Sequence, residues 1–90
     1  MKKRGRLEII RDILNIIQEN KNSIRQTPLL RRTNISTSNF KEYFSELLEK
    51  GFIKEIKENS GEKKVTLTQK GFNFLERYKT IVNFIEEFEL

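Results

Sequence analysis

The chain contains no cysteine and no histidine. Without thiols there is no disulfide framework, no thiolate zinc site, no iron–sulfur cluster and no cysteine nucleophile. Without imidazole the commonest acid–base group and the commonest transition-metal ligand are missing too. One proline and four glycines leave no phosphate-cradling glycine loop and no low-complexity linker. No apolar run approaches the roughly 18 residues that span a bilayer, and no apolar segment follows the basic first residues as it does in a secretory leader. Together these absences argue against an enzyme. They lead to the expectation of a cytoplasmic protein that works without cofactor, metal or membrane.

What the chain does have is charge. Eighteen lysines and arginines face 13 acidic residues in 90 positions, a net +5. The excess is uneven: residues 1–70 hold 16 basic and 9 acidic side chains, whereas residues 71–90 hold two basic and four acidic ones. The two parts therefore point to different partners. Ninety residues make one domain, which buries only about 60–65% of the surface its unfolded chain exposes, so docking a second copy is one way to gain stability.

Periodicity divides the chain. Met1–Arg6 carries Lys2, Lys3, Arg4 and Arg6 and reads as a flexible basic arm, either frayed in solvent or following a phosphate backbone. From Leu7 to Glu19, Leu7, Ile10, Leu14 and Ile17 recur on one helical face, widened by Ile13, and Asn20-Lys21-Asn22 ends the helix. Thr27-Pro28 predicts a helix start, with a hydroxyl N-cap and proline at the first helical position. Asn34 closes that short helix by adopting the left-handed conformation, and Ile35 plugs the turn. Ser36 is the next N-cap. Phe40, Tyr43, Phe44, Leu47 and Leu48 then mark one face of a helix of about fourteen residues that ends at Gly51. Two helices joined by Asn34-Ile35-Ser36 have the spacing of a helix-turn-helix.

Past Gly51 the period falls towards two. Phe52–Glu58 and Lys63–Thr68 alternate apolar and polar residues, with Ile56 as the apolar position of the first and Val65 and Leu67 those of the second. Asn59-Ser60-Gly61-Glu62 connects them as a hairpin. Thr68 caps a last helix running from Gln69 towards Leu90. There Phe74, Tyr78, Ile81, Ile85 and Phe88 are spaced 4, 3, 4, 3, the rhythm of a coiled-coil seam. A helix of about 20 residues reaches about 30 Å, beyond what so small a body covers. These five residues are accordingly expected to form a dimer interface.

This order of elements, α+β but mainly α, is that of a winged helix-turn-helix with a two-stranded wing and a long C-terminal dimerisation helix. The resemblance becomes specific in Thr27-Pro28-Leu29-Leu30-Arg31-Arg32-Thr33-Asn34-Ile35-Ser36, in Lys50-Gly51-Phe52-Ile53 and in Leu67-Thr68-Gln69-Lys70-Gly71-Phe72. From Leu7 onward the chain resembles archaeal winged-helix regulators and small chromatin-type DNA-binding proteins. The resemblance implies double-stranded DNA as partner, a nucleoid location, and pairing of the terminal helix with a second copy in an antiparallel coiled coil. On that reading residues 1–70 are the DNA-binding part, and 71–90 the dimerisation helix of the same domain.

The second helix of a helix-turn-helix offers its N-terminal residues to base edges in the major groove. Here these are Ser36, Thr37, Ser38, Asn39 and Lys41. Serine and threonine donate to phosphates or base acceptors, Asn39 fits adenine and Lys41 fits guanine. Ser36 is equally a plain N-cap, and Asn39 a solvated surface residue. Arg31 and Arg32 belong to the helix that crosses the backbone, Arg25 lies just before it, and Lys57, Lys63 and Lys64 flank the hairpin tip. Each alone reads as a solvated charge; cations from three segments around one face read as a phosphate-binding surface. Glu42, Glu46 and Glu49 occupy the later outer face of the recognition helix, where acidic groups repel phosphate. They favour the alternative, a winged-helix adaptor that binds protein and not DNA. The carboxylates lack partner chemistry, and no catalytic residue is expected.

Overall fold

A computed structural model describes residues 5–90; Met1–Arg4, most of the expected basic arm, lie outside the described residues. The elements run α1 (Arg6–Glu19), α2 (Gln26–Thr33), α3 (Thr37–Glu49), β1 (Ile53–Lys57), β2 (Lys63–Leu67) and α4 (Gln69–Glu87). This is a mainly helical α+β fold with one two-stranded antiparallel sheet.

The helices close on one apolar cluster. Ile10, Ile13, Leu14 and Ile17 of α1 meet Leu29 of α2, Phe40, Phe44 and Leu47 of α3, and Ile53, Val65 and Leu67 of the hairpin. Side chains of this size each contribute about 1.5–3 kcal/mol when fully withdrawn from water. Phe40 and Phe44 stack with ring centres 5.5 Å apart. The expected α1 stripe shifts by one turn. Leu7 is 59% exposed, because the whole first turn of α1 from Arg6 to Glu8 lies in solvent. Arg6 belongs to this helix and not to a flexible arm.

The helix ends follow local chemistry, with one correction. Arg25, in extended conformation, is the N-cap of α2, and the Leu29 N–H donates to its carbonyl at 3.2 Å. Thr27 and Pro28 therefore sit inside the first turn. Proline is tolerated there because first-turn N–H groups lack intrahelical acceptors in any case. Asn34 takes the left-handed conformation (φ 58°, ψ 36°). The Ser36 hydroxyl caps α3 by accepting from the Asn39 N–H at 3.2 Å. At the other end of α3, Gly51 N–H donates to Leu48 O and Phe52 N–H to Leu47 O, with Gly51 at φ 79°. That double bond pattern closes a helix through a left-handed residue, which glycine adopts without steric cost.

The strands pair Ile53 with Leu67 and Lys57 with Lys63. Successive side chains of a strand point to opposite faces, so this register puts Ile53 on the core side with Leu67 and Val65. Ile56 falls on the other face. It is 44% exposed, although it is the apolar position in the alternation of its strand. Ile24 forms an antiparallel bridge with Val65, their N–H and C=O groups exchanging bonds of 3.2 and 2.8 Å. The α1–α2 connection is thereby tied to the free edge of β2. Asn22 reinforces the tie by accepting from the Leu67 N–H at 2.7 Å.

The start of α4 is fixed by two contacts. Thr68 Oγ1 accepts from the Gly71 N–H at 3.2 Å and donates to the Gly51 carbonyl. Gly71 packs so closely on the chain before β1 that an added Cβ would stand 2.4 Å from the Phe52 carbonyl oxygen. Phe72, Phe74 and Leu75 pack against the core, Tyr78 and Val82 are still half-buried, and from Asn83 onward the helix has no body to cover. The molecule is accordingly elongated, 49 × 28 × 22 Å.

Candidate nucleic-acid interface

On α3 the apolar positions Phe40, Phe44 and Leu47 are buried, which leaves Thr37, Ser38, Lys41, Glu42, Ser45 and Glu49 exposed. The capped first turn therefore presents small hydroxyls and one cation. Ser36 Oγ and Ser38 Oγ lie 3.5 Å apart, forming a polar pair at the helix entrance. Asn39 is exposed as well. It lines a depression of about 260 Å³ shared with Arg6 and Ile9 of α1 and Glu42 and Tyr43 of α3. Of the expected α3 contacts, it alone borders α1.

The acidic residues of α3 are not equivalent. Glu46 is paired with Arg6 of α1 and approaches Lys50 at 3.8 Å, while the Arg6 guanidinium also lies 5.9 Å from the Tyr43 ring centre. The Glu46–Lys50 pair was legible at i, i+4. The Arg6 partner, forty positions away, was not. Glu42 and Glu49 are exposed, with no ion-pair partner among the described residues.

Four of the expected cations gather around the entrance to α2. Arg25, Arg32 and Lys64 border one depression of about 300 Å³ beside Pro28, and Arg25 and Lys63 border a second, of about 480 Å³, with Glu55. Two of these are engaged. Arg25 reaches Glu62 at 3.5 Å and Lys64 reaches Glu58 at 2.9 Å, so the glutamates of the hairpin tip answer them. Both pairs are solvated, and exposed pairs contribute only about 0–1 kcal/mol. Arg31, Arg32, Lys41, Lys57 and Lys63 have no ion-pair partner among the described residues. Lys57 and Lys63 also stand directly across the hairpin from one another, a like-charge pairing that destabilises a sheet.

A family model described as winged helix-turn-helix matches residues 3–86. The chain belongs to the winged helix-turn-helix family. None of the curated proteins gives a significant sequence match. Among solved structures, this winged helix-turn-helix chain is similar to Sso10a-2, a DNA-binding protein from Sulfolobus solfataricus. The TM-score is 0.74 and the identity 22%, over 96% of this chain and 86% of that one. It is also similar to the PcaV transcriptional regulator of Streptomyces coelicolor (TM-score 0.73, 17% identity), covering 88% of this chain and 59% of that one. A third similar structure is SSV1 F-93 (TM-score 0.63, 28% identity), covering 88% of this chain and 91% of that one. The expected fold and the likeness to archaeal winged-helix proteins are thus both met, and family membership agrees with the expectation that the protein is not an enzyme. Among the described residues no group of acidic side chains could hold a metal, and no helix is long and apolar enough to cross a membrane.

The five seam residues of this winged helix-turn-helix fall in two groups. Phe74 and Tyr78 are half-buried in their own body. Phe74 meets Phe52 edge-on with centres 5.7 Å apart and stacks on Tyr78 at 6.0 Å. Ile81, Ile85 and Phe88 are exposed. Phe84, off the 4, 3 spacing, is exposed as well, with its ring centre 4.9 Å from that of Phe88.

Proposed function

We propose that the protein binds double-stranded DNA as a homodimer, acting as a transcriptional regulator or an architectural protein of the nucleoid, in the cytoplasm. The observation that carries this reading is the set of cations without carboxylate partners among the described residues, Arg31 and Arg32 from α2, Lys41 from α3 and Lys57 and Lys63 from the wing, distributed around the helix-turn-helix. The first turn of α3 enters the major groove, with Ser36, Thr37, Ser38, Asn39 and Lys41 at base edges and phosphates. Arg25, Arg31, Arg32 and Lys64 hold the backbone on one side, and Lys57 and Lys63 hold it from the wing. A phosphate between Lys57 and Lys63 relieves their mutual repulsion. Sso10a-2, a DNA-binding protein of similar fold, and PcaV, a transcriptional regulator, support the reading.

Dimerisation runs through α4. Its outer half carries Ile81, Phe84, Ile85 and Phe88 in solvent, a contiguous apolar surface of the kind that marks an interface. The helix carries Lys70, Arg77 and Lys79 against the single Glu76 at one end, and Glu86, Glu87 and Glu89 with no cation at the other. Parallel pairing sets like charges side by side; antiparallel pairing sets each acidic end beside the partner's basic stretch. This favours the antiparallel arrangement.

The exposed Glu42 and Glu49 favour a second reading, a protein-binding adaptor. Titration of a random duplex at two salt concentrations separates the two. The DNA reading predicts binding that weakens with salt, and weaker binding for Arg32→Ala and Lys41→Ala with a shallower salt slope for the former. Absence of binding at low salt favours the adaptor.

A further inference from the structure

Between α1 and α4 runs an open groove of about 410 Å³ whose walls include Arg11 and Asn15 of α1 and Leu75, Tyr78, Lys79 and Val82 of α4. The Arg11 guanidinium lies 5.5 Å from the Tyr78 ring centre and also meets Asp12 at 3.1 Å. The groove thus has an aliphatic and aromatic lining and two cations, and it adjoins the uncovered stretch of α4 that begins at Ile81. Resting on the dimer proposed above, we infer that this groove receives the acidic end of the partner's α4, so that each body grips the other copy's rod through α1 as well as through the helix–helix seam.

The helical repeat supports this occupant. Leu75 and Val82 are seven residues apart on one line of α4, which continues towards Glu89 at the turn that closes the helix. Lys79 and Glu86, also seven apart, occupy the adjoining line. The flank that lines the groove at one end of α4 therefore carries carboxylates at the other. A two-fold axis perpendicular to an antiparallel pair brings that flank of one helix against the same flank of its partner. Layering Tyr78 on the partner's Phe88 and Ile81 on the partner's Ile85 sets the register. The partner's Glu86 then falls level with Thr80, next to Lys79, and the partner's Glu89 level with Arg77, one residue from Tyr78 and the Arg11 guanidinium that lies over its ring. Two carboxylates meet Arg11 and Lys79, and symmetry repeats the match in the second groove. Lys79 and Glu86 have no ion-pair partner within the described chain, so each is available to the other copy.

A charge exchange tests this. One full-length variant carries Arg11→Glu and Lys79→Glu, the other Glu86→Lys and Glu89→Lys. Each alone confronts like charges in both grooves and is expected to dimerise about tenfold more weakly than wild type. Mixed, the two chains restore opposite charges in both grooves, and native mass spectrometry shows the heterodimer well above its statistical half. Lys79→Glu alone, at an exposed position, serves where Arg11→Glu disturbs the fold, with weaker dimerisation again expected and Glu86→Lys as its rescuing partner. Wild-type dimers with variants of unchanged affinity and a statistical mixture overturn this inference and leave the dimer standing. That result would reassign the groove to a small anion or a foreign acidic helix. Wild type that stays monomeric at all concentrations overturns the dimer and the inference together.

Discussion

Gly71 shows how one missing atom fixes the geometry of the domain. Its backbone lies against the Phe52 carbonyl, leaving 2.4 Å for a Cβ, and the opposing atom is main chain that cannot swing aside. Gly71→Ala is expected to destabilise the fold by about 1–3 kcal/mol, the usual cost of overpacking, as a lower denaturant midpoint. Gly5, with nothing within 4 Å of a Cβ and no positive φ, is the control for the steric effect; as the N-cap of α1 its replacement by alanine costs only the small capping difference. Ser36 has a different role: its hydroxyl accepts the Asn39 N–H, and Ser36→Ala should cost about 1 kcal/mol through the lost cap. If Ser36 also meets phosphate, the same substitution weakens DNA binding by more than the loss of folded protein accounts for. Thermal melts and duplex titrations on one sample separate the two effects.

Among the elements, α3 and the wing divide the charge. The first turn of α3 is polar with one lysine, while its later outer face carries Glu42 and Glu49, so the proposed DNA contact concentrates at the capped end. At the wing, Lys57 and Lys63 face each other across the hairpin. Replacing both by alanine is expected to leave the fold as stable or slightly more stable, by a few tenths of a kcal/mol, while weakening duplex binding. Calorimetric melts read the first effect and anisotropy titrations the second; a stability loss without a binding loss would assign the lysines a structural role. The elements themselves were largely legible in the sequence because each announces itself locally, through the 3.6-residue apolar period of α1 and α3, Ser36 and Thr68 as caps, and Gly51 and Gly61 at positive φ. What escaped was non-local. The bridge of Ile24 to Val65, the exposure of Ile56 and Leu7, and the pairing of Arg6 with Glu46 and of the wing-tip glutamates with Arg25 and Lys64 depend on how the elements dock. Within α2, Thr27 looked like a cap because Pro28 follows it, but proline fits anywhere in a first turn, and the helix begins two residues earlier.

As a whole, the molecule is a small cationic body carrying a rod that overhangs it. The core is complete without the end of α4: no residue after Gly71 is fully buried, and those from Asn83 onward are exposed. Removing residues 82–90 is therefore expected to leave a folded chain with an unchanged far-ultraviolet spectrum per residue in the remaining elements, but to abolish dimerisation in sedimentation equilibrium. A truncated chain that still dimerises would place the interface elsewhere. Losing the proposed dimer would also halve the number of phosphates held per complex, so the truncated chain should bind duplex with a shallower salt dependence.

The central claim is that Arg31, Arg32, Lys41, Lys57 and Lys63 are held without carboxylate partners in order to meet phosphates. An anisotropy titration of a random-sequence duplex with the full-length protein over a range of salt concentrations tests it most directly. Five such contacts per chain, ten in the proposed dimer, predict a log–log slope of about −9, with Arg32→Ala, which removes two of them, making it shallower by about two. A duplex that stays unbound in dilute salt, or is bound with a flat salt dependence, contradicts the account.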